Sequence, residues 1–297
     1  MCGIVGLFLK DPTLEPRMGE LLTGMLVTMT DRGPDSAGVA IYGAGRDGEA
    51  KLTVQSDAPE EVFPTLAETL SARLGSPVRL SRNDTHAVLH LRAGQVPEAR
   101  AALREVANLR IMSDGDRIEI YKEVGLPRDV AARFDLPAMA GTHGIGHTRM
   151  ATESAVTTEG AHPFSTGADQ CLVHNGSLAN HNALRRKLRR DGVRIESEND
   201  TEVGAAYITW KMQQGASLGE ALESALEDLD GFFTFVVGTK DGFGVVRDPI
   251  ACKPAVMAET DRYVAFGSEY RALVNLPGID SARVWEPEPA TVYFWSH

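Results

Sequence analysis

The sequence predicts an α+β protein of packed sheet and helix layers, on three observations. Strand-like and helix-like stretches come in blocks rather than in strict alternation, which argues against a Rossmann array. Short apolar runs bounded by glycine read as buried strands, and longer runs repeat at helical spacing. The chain has 297 residues, 43% of them hydrophobic and 24% charged, enough to bury a core without staples.

Taken in order, residues 2–8 read as a buried strand. Met18, Leu21, Leu22, Met25, Leu26 and Met29 share one face of a helix over 18–29. Residues 31–38 are a dense turn signal, 39–42 a strand, and 43–54 a hairpin loop with its return strand. Helical patterns at 58–74 and 97–108, and strands at 86–91 and 117–121, lack the Gly-rich turns around them. The stretch 56–135 therefore reads as an inserted subdomain. Beyond Gly141 a strand at 170–174 ends in His174-Asn175-Gly176, and a basic helix covers 180–190. Asn199-Asp200 open a helix over 201–214, and another spans 217–229. Strands follow at 232–237, 244–246, 263–266 and 291–295.

Charge and composition exclude several classes. Lys+Arg 30 against Asp+Glu 41 leaves −11, a poor balance for binding nucleic acid. No apolar run approaches the roughly 18 residues of a membrane span. Residues 1–9 are apolar but have no basic residue ahead and no small-residue cleavage site, so they do not read as a signal peptide. Cys2, Cys171 and Cys252 are odd in number and far apart, which points away from a disulfide framework and towards the cytoplasm.

Cys2 is the sharpest chemical feature. Removal of Met1 leaves a thiol and a free α-amine on one residue. The amine, with an unperturbed pKa of about 7.7–8.0, then serves as general base for its own side chain. The bland alternative is a small buried hydrophobe in the first strand. Asn175-Gly176 is equally a turn dipeptide, Asp200 a helix N-cap, and Arg149 a surface ion pair. Five of eight histidines fall between His143 and His181, but no His-Glu-x-x-His is present and no metal site is expected. Gly43-Ala44-Gly45-Arg46-Asp47-Gly48 fits G-x-G-x-x-G without the helix that a dinucleotide site needs. Arg185 to Arg190 is a basic run, either a solvated face or a dock for an acidic partner.

Several motifs occur together in a fixed order. They are Cys2-Gly3-Ile4-Val5-Gly6, Arg32-Gly33-Pro34-Asp35, Gly146-His147-Thr148-Arg149, His162-Pro163-Phe164, His174-Asn175-Gly176 and Asn199-Asp200-Thr201-Glu202. With the later Arg247-Asp248-Pro249 and Phe266-Gly267-Ser268-Glu269, the chain resembles the class II glutamine amidotransferases, which are N-terminal-nucleophile hydrolases. The resemblance implies a four-layer αββα sandwich, with 56–135 as an inserted α/β subdomain. It implies Cys2 as nucleophile, Asn175 and the Gly176 N–H as oxyanion hole, Arg149 on the substrate α-carboxylate and Asp200 on its α-ammonium. Thr152 and His162 match further pocket positions. Met150 and Glu153 stand where the sugar-phosphate branch has Trp and His, a departure that bears on the closing loop.

The size, the opening residues and the insertion resemble the standalone amidotransferase subunit of glutamate-synthase-like complexes, closest to that of N-methylglutamate synthase. This implies glutamine as substrate, no cofactor in this chain, and ammonia passed to separate synthase subunits carrying flavin and iron–sulfur-type groups. The alternatives are a non-catalytic glutamine- or glutamate-binding regulatory subunit, or an amide hydrolase of other specificity.

Overall fold

The computed structural model describes residues 2–151 and 155–297. A seven-stranded antiparallel sheet runs from edge to edge as β14 (Arg283–Trp285), β12 (Val256–Glu259), β13 (Tyr263–Gly267), β1 (Gly3–Leu9), β8 (His143–Arg149), β2 (Ser36–Tyr42) and β7 (Ile118–Val124). Facing it is a four-stranded antiparallel sheet of β15 (Val292–Ser296), β11 (Gly242–Arg247), β10 (Gly231–Thr239) and β9 (Cys171–Leu178).

Strand alternation explains the layers. In β1, Ile4 and Phe8 point between the sheets and meet Ile145, Val173, Val236 and Phe243. Val5, Leu7 and Leu9 point the other way, onto Leu22, Met25 and Leu26 of α1 (Met18–Val27). A strand covered on both faces needs apolar residues at both parities, which is why residues 3–9 contain no polar side chain. α4 (Pro127–Arg133) joins α1 outside the large sheet. α5 (His181–Arg190), α6 (Asp200–Gln213) and α7 (Leu218–Asp228) cover the outer face of the small one. The order helix, sheet, sheet, helix is the αββα sandwich. Among the described residues no helix is long and apolar enough to cross a membrane.

A third sheet, ordered β4 (Arg79–Asn83), β5 (His86–Arg92), β3 (Glu49–Ser56) and β6 (Leu109–Gly115), packs α2 (Pro59–Leu74) and α3 (Val96–Leu103) over its own core of Leu52, Val54, Phe63, Leu70 and Leu89. Two expectations change here. Residues 39–54 do not form a hairpin, because β2 already has partners on both edges, with Val39 opposite Tyr121 and Gly146. β3 therefore pairs in the third sheet, opposite β5 and β6. The strand at 117–121, read as part of the insertion, is β7 at the edge of the large sheet, and Val130, Ala131 and Phe134 pack with the main core. Asp169 closes the junction between β6 and β7. Its carboxylate accepts the backbone N–H groups of Asp116 (2.7 Å), Arg117 (2.8 Å) and Ile118 (3.0 Å).

Candidate active site

Cys2 sits half-buried at the mouth of β1, held by three separate segments. Its carbonyl oxygen accepts from Arg32 Nε at 2.9 Å and from Asn175 Nδ2 at 3.3 Å. Arg32 is itself buried and paired through Nη1 with Glu269 Oε1 at 2.7 Å. Two residues on, Ile4 N–H donates to Ser268 Oγ at 2.9 Å and Ser268 N–H donates back to the Ile4 carbonyl at 2.9 Å. These anchors fix the backbone of the nucleophile candidate and place the Asn175 amide beside it.

Asn175 and Gly176 lie within β9 rather than at its end, opposite Thr234 and Phe233. The strand continues because Leu178 is fully buried against the helices of the small sheet, and the chain turns only after it. Gly176 has φ +150°, a conformation that side chains rarely adopt, and a Cβ there would stand 1.9 Å from the Phe232 carbonyl oxygen. Gly176→Ala should lower folding stability by about 3 kcal/mol or more, read as a fall in denaturation midpoint. An unchanged midpoint would mean that the strand accommodates the methyl group.

Asp200 is the first residue of α6, but the cap is Asn199, whose side chain accepts the Thr201 N–H at 2.9 Å. The Asp200 carboxylate is thus turned towards β9, where Oδ2 accepts the Leu178 N–H at 3.0 Å and Oδ1 lies 3.7 Å from His174 Nδ1. Burial pushes its pKa up. The His174 ring and the Leu178 N–H outweigh that and hold it at about 2. A carboxyl depressed in the fold stabilises it above the unfolded pKa, and that contribution disappears as pH falls through about 2. Asp200→Asn should therefore be about 2 kcal/mol less stable at pH 7. Denaturation at a series of pH values should show the gap closing in acid; a constant gap would contradict the linkage.

Arg149 ends β8 and is buried, with Nη1 donating to the Ala155 carbonyl at 3.3 Å. Asp35 braces the exit of that strand, since its N–H donates to the Arg149 carbonyl (3.1 Å) and its Oδ2 accepts the Ala151 N–H (2.8 Å). Thr152 lies outside the described residues. His162 is buried behind Asp200 rather than in an open pocket: its Nε2 is 2.7 Å from Thr201 Oγ1, which also meets His174 Nδ1 at 3.1 Å. His147 lies against the His162 ring at 4.0 Å between centroids, and its Nε2 donates to the His174 carbonyl at 3.1 Å. Burial drives the His147 pKa down to about 3 and that of His162 well below its usual value, so both rings are neutral near pH 7. Cys171 is a different kind of cysteine from Cys2. It is buried, accepts a hydrogen bond from Tyr42 Oη at 3.4 Å, and burial pushes its pKa up to about 11.

Residues 147–275 match the family model described as a glutamine amidotransferase domain. Over its whole length the chain is 69% identical to the glutamine amidotransferase-like protein GlxB of Rhizobium meliloti (strain 1021), covering 99% of that protein. The chain belongs to the class II glutamine amidotransferase family. A putative glutamine amidotransferase of Methanothermobacter thermautotrophicus is 34% identical, with 98% of each chain aligned. The fold agrees. The glutamine phosphoribosylpyrophosphate amidotransferase of B. subtilis superposes with a TM-score of 0.63 at 18% identity, over 99% of this chain and 47% of that one. The chain thus spans about half the length of that solved enzyme.

In this amidotransferase several supporting residues had no role assigned from sequence. Arg32, Ser268 and Glu269 belong to motifs that mark the family but do not reveal a contact with residues 2–4. Thr201 and His174 were hidden beside residues with clearer signals. Lys122 did have a signal: Ile118, Ile120 and Lys122 share one face of β7, so a lysine occupies a core parity. A cavity of about 600 Å³ lies between the third sheet and the body rather than at Cys2, and Lys122, Glu159 and Glu202 form part of its wall.

Proposed function

We propose that this protein hydrolyses glutamine to glutamate and ammonia through a thioester on Cys2. The observation that carries the reading is the 3.3 Å bond from Asn175 Nδ2 to the Cys2 carbonyl, which puts an amide donor next to the thiol-bearing residue. The thiolate attacks the side-chain carbonyl carbon of glutamine. The tetrahedral oxyanion is held by the Asn175 amide and the Gly176 N–H. Collapse breaks the C–N bond, and the nitrogen leaves as ammonia with the proton taken from the thiol. Water then cleaves the thioester through a second oxyanion, restoring the thiol and releasing glutamate. The proton carrier is the α-amine of Cys2, which requires removal of Met1.

Arg149 takes the α-carboxylate and Asp200 the α-ammonium. A guanidinium and an ionised carboxylate suit the two ends of a zwitterion. Thr152 and His162 complete the surroundings, His162 through Thr201. The ammonia passes to a separate synthase subunit of glutamate synthase or N-methylglutamate synthase type, in the cytoplasm, with flavin and iron–sulfur groups on the partner. The resemblance of the size, the opening residues and the insertion read from the sequence to the standalone subunits of such complexes supports this acceptor class.

Intact mass before and after treatment with diazo-oxo-norleucine tests the reading. Loss of Met1 and a single adduct mapped to Cys2 are expected. A processed chain without an adduct, or an adduct on Cys171 or Cys252, would refute it.

A further inference from the structure

Lys122 is a charged residue at a core position, only 4% exposed. Its Nζ donates to three backbone carbonyls, those of Ala161 (2.8 Å), Pro163 (3.2 Å) and Glu159 (3.3 Å), and lies 4.3 Å from the centre of the Phe164 ring. Among the described residues no carboxylate forms an ion pair with it. A buried ammonium without a counter-ion is costly, and an apolar residue would fill the space more cheaply. What it gains is a fixed course for residues 159–163. The next residue of β7, Glu123, accepts a hydrogen bond from Thr158 Oγ1 and fixes the start of the same segment.

That segment touches both ends of the proposed glutamine site. A side chain starting at Gly160 would stand 3.4 Å from Arg149 Nη1. The Gly160 carbonyl accepts from Asn199 Nδ2 at 3.4 Å, and Asn199 caps the helix that Asp200 begins. His162 reaches Thr201, the neighbour of Asp200. Segment 159–163 therefore bridges the guanidinium and the carboxylate.

We infer that Lys122 is a positioning residue for glutamine binding: its ammonium ties down segment 159–163 and so sets the spacing between Arg149 and Asp200. The inference rests on the glutaminase reading above. The three carbonyls require the charged form, because a neutral amine has only two N–H donors. Burial lowers the Lys122 pKa to about 8, against the opposing pull of Glu202 on α6 and Glu159 on the segment. The other titratable neighbours, His162 and His86 on β5, are both held neutral by burial. The cavity of about 600 Å³ beside Lys122 gives the proton a way out. The tie is thus largely in place at pH 7 and loosens as pH rises through about 8.

The test compares wild type, Lys122→Met and Lys122→Arg in glutaminase assays from pH 7 to 9, with thermal melts of each. The methionine variant should raise KM for glutamine roughly tenfold or more at pH 7 and leave kcat within about threefold. Wild-type KM should climb above pH 8, and Lys122→Arg, which stays charged, should flatten that climb. A folded methionine variant with wild-type KM, or one that loses only kcat, overturns the inference. If the methionine variant does not fold, superimposable pH profiles of KM for wild type and Lys122→Arg overturn it instead. A wild-type chain that neither hydrolyses glutamine nor is labelled at Cys2 sinks the glutaminase reading itself, which the other outcomes leave intact.

Discussion

Cys2→Ser should lower glutamine turnover by on the order of 10³-fold or more while the melting temperature stays at the wild-type value. Only the side-chain atom changes. The side-chain bonds from Arg32 and Asn175 to the Cys2 carbonyl, and the ladder that begins at Gly3, are untouched. A hydroxyl is a far weaker acid than a thiol, and an α-amine with a pKa near 8 activates it poorly. Steady-state ammonia release and a thermal melt on the same preparation decide the matter. A serine variant that retains turnover would remove Cys2 from the chemistry. The comparison is clean because the other two cysteines differ in setting: Cys171 is locked in the core under Tyr42, and Cys252 is exposed.

Asn175→Ala should lower kcat by about 10²–10³-fold with a small effect on KM. The side-chain amide meets the oxyanion only while the tetrahedral species exists, so its loss falls on the transition state rather than on substrate capture. The Cys2 carbonyl keeps its bond from Arg32, so the backbone of the nucleophile stays anchored in the variant. Steady-state kinetics at pH 7 separate the two constants. A loss confined to KM would instead assign Asn175 to holding the substrate, and unchanged kinetics would assign it to the fold. In the proposed mechanism the second donor is the Gly176 backbone N–H, which a side-chain substitution at Gly176 does not remove.

Much of the architecture was legible because periodicity is a local property. The helix over 18–29 and the strand over 2–8 announce themselves by which residues are apolar, and both are present at Met18–Val27 and Gly3–Leu9. Pairing is not local. Residues 39–54 have the grammar of a hairpin, yet β2 finds partners more than 75 residues away at β7 and β8, and β3 goes to another sheet. No feature within the window distinguishes those outcomes. The site shows the same division. Cys2, Arg149, Asn175 and Asp200 carry distinctive chemistry in distinctive motifs. Arg32 and Thr201 matter through what they touch, and a touch across 30 or 39 positions leaves no mark on the flanking residues. Asn175-Gly176 shows a third kind of failure. The dipeptide has a turn preference, but the buried Leu178 beyond it keeps the strand going.

The position of β1 in the large sheet has a consequence for synthesis. It precedes both of its neighbours in the chain, β8, ending at Arg149, and β13, ending at Gly267. Its Ser268 and Glu269 anchors emerge from the ribosome later still. Contacts of such long sequence separation form late and slowly. A nascent chain that has not reached residue 268 therefore carries Cys2 without the contacts that anchor its backbone. The scaffold around Cys2 closes only after Ser268 and Glu269 have been made.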